Sequence, residues 1–115
     1  MNDIEKFDWS EWRHFPDPTK KGILVSPFGP GLYQLRNKKT NDLILFGIGG
    51  HLSQRMTSLL PKPYSIGTRK NEKKREYVWN NIEDIEYRTI STQTRNESLI
   101  IEKVIKGMNI HLFNT

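Results

Sequence analysis

The 115-residue chain contains no cysteine, which excludes a disulfide framework, a thiolate metal site and a cysteine nucleophile together. Histidine is scarce: His14, His51 and His111 stand far apart, at no spacing that suits a compact zinc site. Hydrophobic residues make up only 35% of the chain, and no apolar stretch approaches the ~18 residues that a membrane-spanning helix needs. The first residues, Met1 to Trp9, are acidic and mixed rather than basic followed by an apolar run, so they do not read as a leader. A soluble, cytoplasmic protein with no membrane partner is therefore the expectation. There is no internal repeat and no low-complexity tract.

What is present argues against disorder. Aromatic residues reach 10%, and Trp9, Trp12, Trp79 and five Phe are spread widely enough to offset much of the ordering entropy of a small core. Lys and Arg total 18 against 13 Asp and Glu, a net charge of +5, which is a mild preference for polyanions. The length suits one domain.

Residues 1–29 read as a lead-in. Trp9 and Trp12, three apart, suit one face of a short helix over Asp8 to His14, with Pro16 and Pro18 beyond its end. A short strand is expected at Ile23 to Val25 within a Pro- and Gly-rich run. The domain proper is expected over 30–115. Gly31 to Arg36 alternates, Asn37 to Asp42 supplies a turn, and Leu43 to Phe46 forms a second strand, giving a hairpin. Leu52, Met56, Leu59 and Leu60 recur at helical spacing over His51 to Leu60, and Pro61 and Pro63 end that helix. A helical segment over Asn71 to Trp79, a third strand through Ile85, Tyr87, Thr89 and Ile90, and a helix capped near Thr94 or Asn96 and ended by Gly107 complete the order. The pattern predicts an α+β domain with a small three-stranded antiparallel sheet flanked by helices.

Five short motifs occur in order. Gly31-Leu32-Tyr33 is followed, after eleven residues, by Leu45-Phe46-Gly47; Arg55 stands eight residues past Gly47, within His51-Leu52-Ser53-Gln54-Arg55. Glu97-Ser98-Leu99-Ile100-Ile101-Glu102 opens the last helix, and Asn114 stands twelve residues after Glu102. From about Gly31 to Asn114 the chain thus resembles the GIY-YIG nuclease family. The resemblance implies a metal-dependent endonuclease that hydrolyses phosphodiester bonds in DNA. It implies Tyr33 as base or water-positioning phenol, Arg55 as catalytic arginine, Glu102 as metal ligand and Asn114 as the closing residue of the site. The chain departs from the family pattern at Leu45, where the second motif carries tyrosine, and at Leu59, where several members carry His or Tyr. Either Tyr64, Tyr77 or His51 substitutes, or the domain is a catalytically degenerate nucleic-acid-binding module.

The chemistry of these residue types agrees with that implication. A single hard carboxylate, Glu102, suits Mg²⁺ or Mn²⁺ that keeps part of its hydration shell. The Arg55 guanidinium matches a phosphate's oxygens as a planar fork. Glu102 lies at the boundary of the apolar face of its helix, where a carboxylate costs desolvation unless something pairs with it. Arg69, Lys70, Lys73, Lys74 and Arg75, beside Tyr77 and Trp79, form a basic run suited to phosphate contacts and stacking, although most charge runs are simply solvated faces. Trp9 and Trp12 are expected to pack on the core rather than bind bases.

Overall fold

The computed structural model describes residues 4–17, 19–20, 24–27, 29–57, 59 and 72–114. Its elements are β1 (Arg13–His14), β2 (Gly31–Asn37), β3 (Asp42–Gly49), α1 (Leu52–Thr57), α2 (Glu72–Asn80), β4 (Ile85–Ser91) and α3 (Arg95–Met108), with 3-10 turns at Ile4–Lys6 and Ile82–Asp84. The strands form one antiparallel sheet in the order β1-β4-β2-β3. The architecture is α+β, but the sheet has four strands among the described residues and not the expected three. The extra strand is only two residues long, Arg13 facing Tyr87 and His14 facing Glu86, and so short a segment carries no alternation for the sequence to show.

Strand β2 is central, and the period-2 rule sends its side chains to opposite faces. Tyr33 and Leu35 join Leu45, Tyr87, Leu52 and Met56 in one core; Leu32 joins Phe46, Ile48, Ile90 and Ile105 in the other. Helices α1 and α2 therefore lie over one face and α3 over the other. Asn37 closes the β2–β3 hairpin: its side-chain oxygen accepts from the Lys39 and Thr40 amides, and Asn41 takes a left-handed φ of 63°. A bulge opposite Leu35 and Arg36 places the consecutive residues Ile44 and Leu45 in the same core.

Strand β3 continues to Gly49 instead of stopping at Phe46, because Gly47 pairs with Tyr33 and Gly49 with Gly31. Helix α1 spans Leu52–Thr57, inside the expected range; Leu60, Pro61 and Pro63 lie outside the described residues. Thr94 caps α3 by accepting from the Glu97 amide at 3.2 Å, and Glu97 reaches back to the Gln93 amide. The helix buries Ile105 completely, worth about 2 kcal/mol for one aliphatic side chain. It runs past Gly107 to Met108, and Asn109, left-handed at φ 53°, provides the stop expected of Gly107. The tail then turns along the outer edge of β3: the Leu112 and Phe113 amides donate to the carbonyls of Leu43 and Ile44.

The N-terminal segment differs from the helix and strand expected of it. No helix forms over Asp8 to His14; the Ser10 amide donates to Thr89 O, and both Trp rings lie against the Arg88 guanidinium, at 4.5 Å for Trp9 and 4.4 Å for Trp12. Attraction between ring faces and a distant cation overrides the local helical spacing. Leu24 and Val25 are not in a strand, and Ile23 lies outside the described residues. Ile4 and Phe15 are buried, one in each core.

Candidate functional site

Two glycines of β3 shape the face beneath α1. A Cβ on Gly47 would come within 2.5 Å of the Tyr33 hydroxyl, so the phenol of β2 lies directly across its neighbour strand. A Cβ on Gly49 would collide with Cγ of Arg55, so the arginine stem crosses the same strand one pleat further on. Gly47 and Gly49, two residues apart, present the same face. Any larger residue at either position would displace the side chain lying over it.

Arg55 reaches this place from α1, one turn beyond Leu52, whose burial holds the helix on the sheet. Its Nε donates to Ile48 O at 2.9 Å, which fixes the plane of the guanidinium and leaves the group half-buried. Tyr33 is 5% exposed. The phenol and the arginine stem thus lie over neighbouring same-face positions of β3, the strand at the edge of the sheet.

A second cation lies within electrostatic reach of Arg55. Lys74 of α2 is half-buried, whereas Lys73 beside it is exposed. Burial holds the Lys74 ammonium below the usual lysine range, and the positive charge of Arg55 lowers it further. Arg75 is half-buried, and Arg69 and Lys70 lie outside the described residues.

Glu102 and Asn114 belong to the other side of the sheet. Helix α3 packs there through Ile101, Ile105 and Met108, and Glu102 is half-buried on it. Among the described residues no hydrogen bond or ion pair engages the Glu102 carboxylate, and no group of three or more His, Cys, Asp and Glu forms a metal cage. The Asn114 amide donates to Lys106 O at 2.8 Å, one turn beyond Glu102, and so ties the tail to the end of α3. Its carbonyl oxygen is buried and accepts no hydrogen bond among the described residues.

The residues weighed as substitutes for the second motif tyrosine divide. Tyr77 packs into the core, accepting from Asn37 Nδ2 at 3.2 Å and meeting Phe113 edge-on, which fastens α2 to the hairpin. His51 is exposed, and Tyr64 lies outside the described residues. Leu45 and Leu59 are both buried, filling the core with hydrocarbon.

One polar row was not visible in the sequence as a unit. Glu5 grips Arg88 with two contacts of 2.8 and 3.0 Å; Arg88 Nε donates to Gln34 Oε1 at 2.6 Å, and Gln34 Nε2 meets His111 Nε2 at 2.9 Å. It lies on the face opposite Tyr33. Arg88 lowers the Glu5 carboxyl by hydrogen bonding, and burial, aided by the charge of Arg88, pushes His111 down to about 4. The available signal is that Gln34 and Arg88 occupy strand positions in phase with Leu32 and Ile90.

Beneath α1 the Tyr33 phenol and the Arg55 stem lie over neighbouring same-face positions of one strand, and both side-chain types can donate to an oxyanion. No described helix is long and apolar enough to cross a membrane. Comparison with protein-family models, with curated proteins and with solved structures finds no match to this chain.

Proposed function

We propose that the chain is a metal-dependent endonuclease of GIY-YIG type, acting in the cytoplasm and hydrolysing phosphodiester bonds in DNA. The observation that carries the reading is that the Tyr33 phenol lies over Gly47 and the Arg55 stem over Gly49, on the same face of β3. These two side chains come from separate motifs of the resemblance, and a strand stripped of side chains lets them approach.

Each residue has a stated task. Tyr33, as phenolate, orients the attacking water and takes its proton while the new phosphorus–oxygen bond forms and the bond to the leaving sugar oxygen breaks, that oxygen taking a proton from solvent; Arg55 neutralises charge that grows on the non-bridging oxygens. Glu102 would hold Mg²⁺ or Mn²⁺: a half-buried hard carboxylate engaged by no hydrogen bond or ion pair among the described residues fits such an ion. Bound there, on the α3 side of the sheet, the ion would supply Lewis-acid stabilisation to phosphate oxygens that reach that side. Asn114, tied to the end of α3, steadies the segment that follows Glu102. Lys73 and Arg75, with Arg69 and Lys70, would follow the flanking backbone, making affinity fall steeply with salt.

Nicking of supercoiled plasmid by the wild type and by Tyr33→Phe, in Mg²⁺, Mn²⁺ and chelator, tests the reading. Metal-dependent nicking that the phenol substitution sharply reduces is expected. Equal nicking by both proteins would exclude the role given to Tyr33. Leu45 favours a second reading, a nucleic-acid-binding module without cleavage, because its position is filled by packed hydrocarbon. On that reading the wild type binds DNA but leaves it intact, and Leu45→Tyr stays inert and loses about 1–3 kcal/mol to overpacking.

A further inference from the structure

After α3 the chain turns back over the edge of the sheet, and His111 is the only buried residue among 109–114. Its ring lies 4.7 Å from that of Phe46 of β3, which belongs to the core on the α3 side. Two residues later Phe113 packs against the other core and meets Tyr77 of α2 edge-on at 6.0 Å. The Leu112 and Phe113 amides donate to the carbonyls of Leu43 and Ile44 on the way. The tail therefore passes round β3 and joins the two faces, with one imidazole as its buried foot.

Residues far along the chain decide where that imidazole carries its proton. Arg88 can only donate, so the Gln34 atom that receives its Nε at 2.6 Å is the amide oxygen. The Gln34 amide nitrogen, a donor, then faces His111 Nε2 at 2.9 Å, and that ring nitrogen must offer a lone pair. The proton of the neutral ring sits on Nδ1, which is buried and meets no acceptor among the described residues. Gln34 cannot turn its oxygen towards His111 without turning its NH2 group on Arg88, and Glu5 holds Arg88 by two contacts. A second ring proton thus meets a donor, with no adjustment open to the row.

We propose that His111 is a proton-sensitive latch: a proton taken up at Nε2 expels the ring from its seat and releases the tail, Leu112 and Phe113 included, from the edge of β3 while the rest of the sheet stays folded. The surrounding groups favour that direction. Glu5 is engaged by Arg88; β2 and β3 present Gln34 and Phe46, which do not titrate; α3 carries Glu102, Lys103 and Lys106 in its last turns; and Arg88 of β4 is the charge that acts on the ring. Burial, aided by Arg88, lowers the ring from 6.5 to about 4, so between these values the released tail binds a proton that the seated one refuses. The Nδ1 donor without an acceptor already weakens the seat.

Amide hydrogen exchange of the full chain, followed residue by residue by NMR from about pH 7 to about pH 4 and corrected for the intrinsic rate, tests the latch. The Leu112 and Phe113 amides should be less protected than those of β2 at every pH. Their protection should fall about tenfold per pH unit below 6.5, the slope of one proton taken up on opening. Gln34→Glu gives the imidazolium an acceptor and should remove this slope, as should His111→Gln. In the wild type at neutral pH, nitrogen chemical shifts of the ring should show Nδ1 protonated and Nε2 bare. The opposite tautomer would overturn the proposal without recourse to any variant. So would tail protection equal to that of β2 throughout, which means that the tail leaves only when the whole chain unfolds, or a slope that survives either substitution. No step of the test involves DNA, so the latch stands or falls apart from the nuclease reading.

Discussion

The two faces of the sheet each hold arginine in apolar surroundings, and they treat it differently. Arg88 is consumed by its neighbours: two contacts from Glu5, one from Gln34 and the faces of Trp9 and Trp12. Arg55 donates to the backbone carbonyl of Ile48, and its stem crosses Gly49 on the face where the Tyr33 phenol crosses Gly47. Arg88, enclosed by acceptors and ring faces, serves the fold, whereas Arg55 lies over the strand glycine that leaves room for its stem. The comparison separates structure from chemistry on one sheet.

The largest effect should come from breaking the functional face. Arg55→Ala should lower single-turnover DNA cleavage by about 10²–10³, the scale of losing one oxyanion-stabilising group, with the urea midpoint nearly unchanged. Breaking the other face should do the reverse. Arg88→Ala leaves Glu5 and Gln34 without their shared partner and should cost about 3 kcal/mol in urea unfolding, with the per-molecule cleavage rate of the folded fraction preserved.

Acid sharpens the comparison further. His111 is held neutral, its value lowered from 6.5 to about 4, so between those values the unfolded chain binds a proton that the folded chain refuses. Stability should be full above about pH 6.5 and decline as pH falls towards 4, by up to about 3 kcal/mol from this group. Urea unfolding across that window should show the slope, and His111→Gln should flatten it. The smallest effect belongs to neither face: Thr94→Ala removes the cap of α3 and should cost about 1 kcal/mol in thermal unfolding, leaving cleavage and acid sensitivity alone.

Local signals made the hairpin legible, since Asn37 to Asp42 supplies its own turn and Tyr33 and Leu35 alternate with Leu32 and Gln34. The final helix was legible for the same reason, with Thr94 and Glu97 marking its start. Long-range claims on a segment were not. Trp9 and Trp12 suit a helix by spacing, yet Arg88, far along the chain, draws both rings away from it. Strand β1 exists only because β4 offers Tyr87 and Glu86 as partners.

The site divides in the same way. Motif spacing singled out Tyr33 and Arg55, and the fold places both over the glycines of β3. The expected strand ends at Phe46, short of both glycines, because the side chains that lie over them belong to β2 and α1. Lys74 looks like one charge in a solvated run, and the fold leaves it half-buried while Lys73 beside it is exposed. Glu102 was marked as a boundary residue by its angle on α3, and it is half-buried. Its helix covers the opposite face from Arg55, an arrangement no spacing along the chain discloses.

Plasmid nicking by Glu102→Ala in Mg²⁺, with DNA affinity measured on the same samples, bears most directly on the claim that this chain hydrolyses DNA with a phenol, a guanidinium and one metal-binding carboxylate. The account predicts loss of cleavage with affinity within about twofold of the wild type, the contacts being mostly to phosphates. Cleavage equal to the wild type would contradict it.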